Sequence, residues 1–321
     1  MKPIKILYFA LFLCFQSLFS QGSGDTNISL YGNIAPQFER EENYFIISSH
    51  TRIDQGKNGV FSIAPYICLS TDVNDQLDFQ LWITSKHASG DLTSGFALGD
   101  IGFIGAYHFS ESYTDQTIDF GLISSITGGK GLKKDYTNTI ATYPMEYQST
   151  LGTIDIFVGY TLKTDKINFS AGYQMPITSK NQNNFYPRYF DVNQVNLGVF
   201  NDNYPPSNEM RRSANFYSRV GYFIVNESDF FFNVGATAFY KLKNDQFYDA
   251  NTFLYPGYKL GYNEVEGTKG LALNGVVQLN YKIYNELEVS LYAGLPLVDR
   301  KEYIDGLKRD FFITPGFIWN F

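Results

Sequence analysis

Three features of the sequence predict an all-β, transmembrane, antiparallel up-and-down β-barrel of about twelve strands, with short turns at one rim and long loops at the other. Apolar and polar residues alternate with period two along segment after segment between Tyr44 and Phe321, and successive side chains of an extended strand face opposite sides. Tight polar links and long connections follow one another along the chain. The composition is aromatic-rich, with 25 Tyr and 29 Phe giving 17% aromatic residues, yet the mean hydropathy is only -0.20. A wall that sets a polar neighbour beside each apolar residue produces that combination. No run of about 18 apolar residues follows the amino-terminal segment, which excludes a bundle of membrane-spanning helices.

Residues 1–20 read as a secretory signal peptide: Lys2 and Lys5, then an uncharged apolar run from Ile6 to Leu13, then small residues at Ser17 and Ser20. Leu13 before Cys14 is too large for a lipoprotein cleavage site. Residues 21–43 are polar, contain Pro36 and end in Glu39-Arg40-Glu41-Glu42, so they are expected to form a periplasmic lead-in or plug. The barrel is expected over residues 44–321. Its first strand points Phe45, Ile47, Ser49, Thr51 and Ile53 one way, and its second does the same with Phe61, Ile63, Pro65, Ile67 and Leu69. The third opposes Leu77, Phe79, Leu81 and Ile83 to Asp78, Gln80, Trp82 and Thr84; the fourth opposes Ile101, Phe103, Gly105 and Tyr107 to Gly102, Ile104, Ala106 and His108. The fifth to seventh centre on Phe120, Val158 and Phe169, and the eighth to eleventh on Val220, Val234, Val277 and Leu291.

Short links are expected at 72–76, 110–116, 163–166, 226–229 and 284–286, and long ones at 86–98, 128–150, 178–212, 242–269 and 298–308; only the first alternate link, 54–59, is short. An even strand number then brings both termini to the turn rim, which is periplasmic in barrels of this layout. On the outer face Tyr107, Tyr160, Tyr222, Tyr281 and Trp319 sit near the lower ends of descending strands, where an aromatic girdle meets lipid headgroups. Phe79, Phe120, Phe169 and Phe232 sit just above the start of the ascending ones. The last strand carries Phe311, Ile313, Pro315, Phe317, Trp319 and Phe321 on one face. That Trp-x-Phe ending resembles the closing strand of bacterial outer-membrane barrels, which implies the barrel assembly machinery as a partner through Phe321, outer-membrane lipid around the wall, and the outer membrane of a Gram-negative bacterium as the location.

Most site chemistries find no foothold. Outside the signal only Cys68 remains, so neither a disulfide framework nor a thiolate metal cluster is expected. A net charge of -7 speaks against a nucleic-acid partner. The glycines of Gly99-Asp-Ile-Gly102 and Thr127-Gly-Gly-Lys130 lack dinucleotide and phosphate-loop spacing, and His50, His87 and His108 share no metal-ligand spacing. No metal, cofactor or catalytic residue is expected. Twelve-stranded outer-membrane phospholipases place a serine and a histidine on the lipid-facing wall. Here His50 and His108 fall on the inner parity and His87 at the start of a loop, so a lipid hydrolase is the less favoured class. The inner face presents Asp78, His108, Asp119, Asp155, Arg219, Lys282 and Glu288 among small and amide side chains. These are candidate lining residues of a wet, narrow or plugged channel.

Between Gly99 and Ile177 the segments GDIGFIGAYHF, DFGLISSITGGKG, TLGTIDIFVGYTL and INFSAGYQMPI resemble the outer-membrane transporter family of the meta pathway of phenol degradation, akin to long-chain fatty-acid transporters. The family tends to have Pro-Thr-Gly after its fifth strand, where this chain has Ile126-Thr127-Gly128-Gly129, and no substrate-contacting residues carry across. The resemblance implies an outer-membrane channel for small hydrophobic or aromatic solutes; the alternative is a structural or adhesive barrel acting through its loops. Those loops are aromatic: Phe185, Tyr186, Tyr189, Phe190, Phe200 and Tyr204 in one, Phe247, Tyr248, Phe253, Tyr255, Tyr258 and Tyr262 in another. Such rings are expected to fold over the barrel mouth.

Overall fold

Alternation of apolar and polar residues leaves each strand with one face for lipid and one for the interior, and closure into a cylinder removes the unpaired edges. The computed structural model describes residues 45–56, 59–109, 114–136, 139–178, 181–186, 204–249 and 259–321. The signal peptide, the lead-in at 21–43, and Tyr189, Phe190, Phe200, Phe253, Tyr255 and Tyr258 lie outside them.

Twelve long antiparallel strands close in sequence order: β1 (Phe45–Gly56), β2 (Phe61–Asn74), β3 (Leu77–Ser89), β4 (Ser94–His108), β5 (Asp115–Ser125), β8 (Ile154–Lys163), β9 (Ile167–Pro176), β10 (Asn215–Asn226), β11 (Phe230–Lys241), β14 (Gly270–Tyr284), β15 (Leu287–Val298) and β16 (Arg309–Asn320). The first strand pairs with the last, in a register that sets Ile47 opposite Trp319 and Ile53 opposite Ile313. Phe321 N donates to Phe45 O at 3.0 Å beyond the last strand residue.

The outer wall is a band of side chains such as Ile67, Phe103, Val158, Val220 and Phe317, each exposed in the isolated chain. A water-soluble protein does not tolerate an apolar band of that extent, whereas hydrocarbon does. Tyr107, Tyr222, Tyr281 and Trp319 are exposed and Tyr160 half-buried on the same wall, near the turn rim. Tyr160 Oη donates to Gln116 Oε1 at 2.8 Å and Tyr107 Oη to Gln76 Oε1 at 3.3 Å, so two rings of the girdle are tied to the turns below them.

Two expectations are corrected. The connection at 86–98 is not a long loop: β3 and β4 continue upward as a ladder and only residues 90–93 join them. Ile83 pairs with Ile101 but Ser85 with Leu98, an extra residue in β4 that bends the hairpin. The segment looked like a loop because Ser85, His87 and Ser89 take the outward positions where apolar residues were required, while Lys86 and Ala88 point inward. His87 is therefore a wall residue of β3. The other long loops also carry structure that period-two reading missed, namely the hairpins β6–β7 (Lys133–Tyr136, Thr139–Thr142) and β12–β13 (Gln246–Asp249, Gly261–Glu264).

The loops fold back over the mouth as a packed lid with two apolar cores. One joins Val60, Ala88, Tyr143, Tyr147, Phe185, Tyr204 and Leu307; the other joins Met145, Met210, Phe247, Val265 and Ile304. Of the expected loop aromatics, Phe185, Tyr186, Tyr204 and Phe247 are buried here.

Candidate solute path through the barrel lumen

All seven predicted lining residues stand on the inner parity of their strands. Register places Asp78 opposite Ala106 and Ala106 opposite Asp119, which brings Asp78, Asp119 and the neighbouring His108 together on β3, β4 and β5 toward the turn rim. His108 Nε2 lies 2.8 Å from Asp78 Oδ2 and its Nδ1 3.5 Å from Asp115 Oδ1. Asp119 accepts from Thr117 Oγ1 at 3.3 Å and Thr161 Oγ1 at 3.1 Å. Lys282 is paired in register with Glu288, but Glu288 Oε1 accepts from Asn320 Nδ2 at 3.2 Å. Asp155 is near the other rim and serves the lid: Arg212 Nη1 reaches its Oδ2 at 2.8 Å, and Gln174 donates to the same oxygen. Arg219 stands apart in mid-barrel, where its Nη2 donates to Gln278 Oε1 at 2.7 Å.

A wet, narrow or plugged lumen was expected; across its middle the interior is apolar. Trp82, Ile104, Ile123, Phe157, Tyr217, Phe239 and Ala272, from seven strands, form one buried cluster across the lumen. An aqueous bore would leave these rings exposed, yet each is buried. The Phe157 and Tyr217 rings stack with centroids 5.3 Å apart. Glycines on the inner wall make room: a Cβ at Gly102 would fall 2.1 Å from the Trp82 ring, and one at Gly172 2.1 Å from the Tyr217 hydroxyl. Inward-facing aromatics opposite inward-facing glycines were the available signal. A second apolar group, Val276, Tyr292 and Phe312, continues the lining, and the Arg52 guanidinium lies 4.5 Å above the Phe312 ring.

Between that apolar layer and the lid lies a small cavity of about 40 Å³, lined by Arg52, Asp54, Tyr66, Thr84, Lys86 and Arg309 among others. Asp54 is the counter-ion there: Arg52 Nε and Arg309 Nε each lie 2.7 Å from its Oδ1. Lys86 instead clamps the lid, its Nζ donating to the backbone oxygens of Glu146 at 2.7 Å and Gln148 at 3.1 Å. Burial pushes the Glu146 carboxyl up to about 8 and the Tyr147 and Tyr204 hydroxyls above their ordinary range. On the far side of the lid Lys241 Nζ binds Asp245 and lies 2.6 Å from Asp305 Oδ2, with Arg300 Nη2 3.5 Å from Asp305 Oδ1. Burial alone would raise the Asp305 carboxyl, but Lys241, Arg300 and Arg212 hold it well below the usual carboxylate range.

Placing His87 on the outer wall removes one ground for disfavouring a hydrolase. His87 Nε2 lies 3.4 Å from Ser94 Oγ, with both residues facing outward. That exceeds the reach of an activated nucleophile, and among the described residues no third group orients the imidazole. The described residues also hold no group of three or more His, Cys, Asp or Glu side chains arranged for a metal ion. Cys68 packs beside the apolar layer.

The geometry defines a class, the transmembrane β-barrel of outer-membrane type with an occluded lumen. No protein-family model matches the chain, and no curated protein matches it in sequence. Among solved structures it is similar to the COG4313 outer membrane channel from Pseudomonas putida F1, with a TM-score of 0.57 at 11% identity over 90% of this chain and 99% of that one. More distant likenesses are the NanC porin, with a TM-score of 0.43 at 12% identity over 86% of this chain and 98% of that one, and the translocator domain of the autotransporter NalP from Neisseria meningitidis, with a TM-score of 0.47 at 6% identity over 93% and 96%. The first of these supports the fold.

Proposed function

We propose that this protein is an outer-membrane channel that admits small hydrophobic or aromatic solutes through a restricted lumen. The observation that carries the reading is the apolar layer of Trp82, Phe157, Tyr217 and Phe239 across the middle of the barrel. Ions and sugars lose hydration at such a layer and gain nothing in return, whereas an aromatic ring exchanges water for ring contacts there. The resemblance of residues 99–177 to the meta-pathway transporter family adds support. In this reading the turn rim and both termini face the periplasm, the lid faces the exterior, and the strand ending at Phe321 engages the barrel assembly machinery.

Uptake of labelled benzyl alcohol and octanoate by cells tests it. Deleting the gene lowers uptake and restoring it recovers uptake; Phe239→Ala, which thins the apolar layer, keeps or raises it. Unchanged uptake across a broad panel of aromatic and fatty-acid solutes, or a large unselective conductance in planar bilayers, would overturn the reading. Should deletion instead abolish surface binding with no change in uptake, the loops are the functional element and the barrel is their anchor.

A further inference from the structure

Among the described residues the buried cations have carboxylate or backbone partners, with one exception that lies on the solute path. Arg52, Arg212, Arg300, Arg309 and Lys241 pair with carboxylates, and Lys86 is capped by backbone oxygens. Arg219 is as deeply buried, at 3% exposure, yet its only hydrogen bond among the described residues goes to the neutral Gln278. Its Nε and Nη1 find no acceptor. Inner-face parity on β10 aims the guanidinium into the lumen, one inward position from Tyr217 toward the turn rim and therefore directly beneath the apolar layer. The Tyr292 ring lies 5.4 Å from its centre.

The unpaired atoms around it are not scattered. Thr237 is directly opposite Arg219 on β11, and its Oγ1 is buried without a partner. Asn233, two residues and one inward position beyond the Gly221–Gly235 pair, has neither its Oδ1 nor its Nδ2 bonded at 1% exposure, and Asn168 Oδ1, opposite Gly221 on β9, is also without a donor. A closed protein core does not accumulate unsatisfied groups in one place, because each costs the free energy of its lost hydration. Gathered on a lumen wall, they form a receiving surface. A planar fork of donors fits a carboxylate, and the adjoining rings fit an apolar body.

Resting on the channel reading above, we propose that Arg219, with Asn233, Thr237 and Asn168, is a carboxylate-binding station beneath the apolar layer, and that the solutes recognised are small aromatic carboxylates. The apolar body occupies the layer of Phe157, Tyr217 and Phe239 while the carboxylate meets the open donors of the Arg219 guanidinium, accepting from Nη1 or, on the other edge, from Nε. Gln278 holds the third nitrogen and so fixes the plane of the fork.

The test uses the full chain refolded in detergent, with benzoate and its neutral counterpart benzyl alcohol as probes, each titrated against the native protein, Arg219→Lys and Arg219→Gln. Fluorescence of Trp82 reports occupancy, because Trp319, the other tryptophan, lies on the outer wall. Heat-modifiable migration confirms that each variant keeps a closed barrel. Native protein should bind benzoate, with about a tenfold loss in Arg219→Gln, as expected for one charge-assisted contact, and a smaller loss in Arg219→Lys; benzyl alcohol binding should be the same in all three. Equal benzoate binding in native protein and Arg219→Gln would overturn the station, as would binding of benzyl alcohol without benzoate, since Arg219 is then a hydrated wall residue; the second outcome leaves the hydrophobic channel standing. Binding of neither probe, together with unchanged cellular uptake, would remove the channel reading itself.

Discussion

The barrel wall and the lid above it hold together by different means. In the wall every strand has two ladder neighbours, the outward residues are apolar, and few side chains need one particular partner. In the lid the ladders shrink to two short hairpins, and order comes from named contacts: Lys86 on two carbonyls, Lys241 between two aspartates, and Asn183 Nδ2 on Gly129 O at 2.9 Å and Tyr143 O at 3.1 Å. Backbone-paired structure spreads its stability over many equivalent bonds, so single side chains matter little. A lid built from buried charges and amides concentrates stability in a few positions and can be undone there without touching the wall.

Three substitutions sharpen that contrast. The largest effect is expected from Lys241→Met, which removes the buried cation between Asp245 and Asp305 and leaves Asp245 without an ion-pair partner. Breaking one side of a buried ion pair costs about 3–5 kcal/mol. The lid should open, seen as rapid protease cleavage between 242 and 269 and a rise in bilayer conductance, while heat-modifiable migration of the barrel is retained. Loss of the barrel along with the lid would show that the two regions are one cooperative unit.

An intermediate, pH-dependent effect is expected at Glu146. Its carboxyl is raised from an ordinary value of 4.5 to about 8, so the folded lid binds a proton that the opened lid releases. Stability of the lid is therefore fully present below pH 4.5 and is lost as the pH rises through 8. Hydrogen exchange of residues 143–153, corrected for intrinsic rates, should accelerate across that window. Glu146→Gln should flatten the profile, and an unchanged slope in that variant would assign the dependence elsewhere.

The smallest effect belongs to the wall. Lys282→Met removes a cation that is only half-buried and whose register partner Glu288 is already bonded to Asn320. A directly opposed pair in a solvated rim contributes at most about 1 kcal/mol, so denaturant midpoints should shift little. A shift as large as that of Lys241→Met would erase the distinction between wall and lid.

The wall was legible in the sequence because lipid imposes one rule on every strand: Phe120, Val158, Val220 and Phe317 need only be apolar to be placed correctly, and tight links at 163–166 and 226–229 then fix the order. The lumen was legible only as parity. Trp82, Phe157 and Tyr217 could be assigned inward, but whether they meet across the barrel depends on which strands stand opposite, a non-local fact that no window of sequence contains. The same holds for Lys86, whose partners Glu146 and Gln148 are some sixty residues away. Its neighbours lacked outward apolar residues, so local pattern favoured a loop. Arg219 was visible as an inward cation, but its want of a carboxylate partner emerges only once every other buried charge has been matched.

Pairing of Phe45–Gly56 with Arg309–Asn320 also sets the order in which the barrel can be made. Every other ladder joins strands that follow one another along the chain, whereas this one links segments separated by almost the entire barrel sequence. Contacts of such sequence separation form slowly, because the intervening chain must be ordered before they repay the entropy of bringing distant ends together. Until β16 arrives, β1 presents an unpaired edge with apolar side chains beside it, a template for wrong partners. Synthesis from the amino end therefore leaves that edge open for the whole time between the emergence of the first strand and the completion of the last.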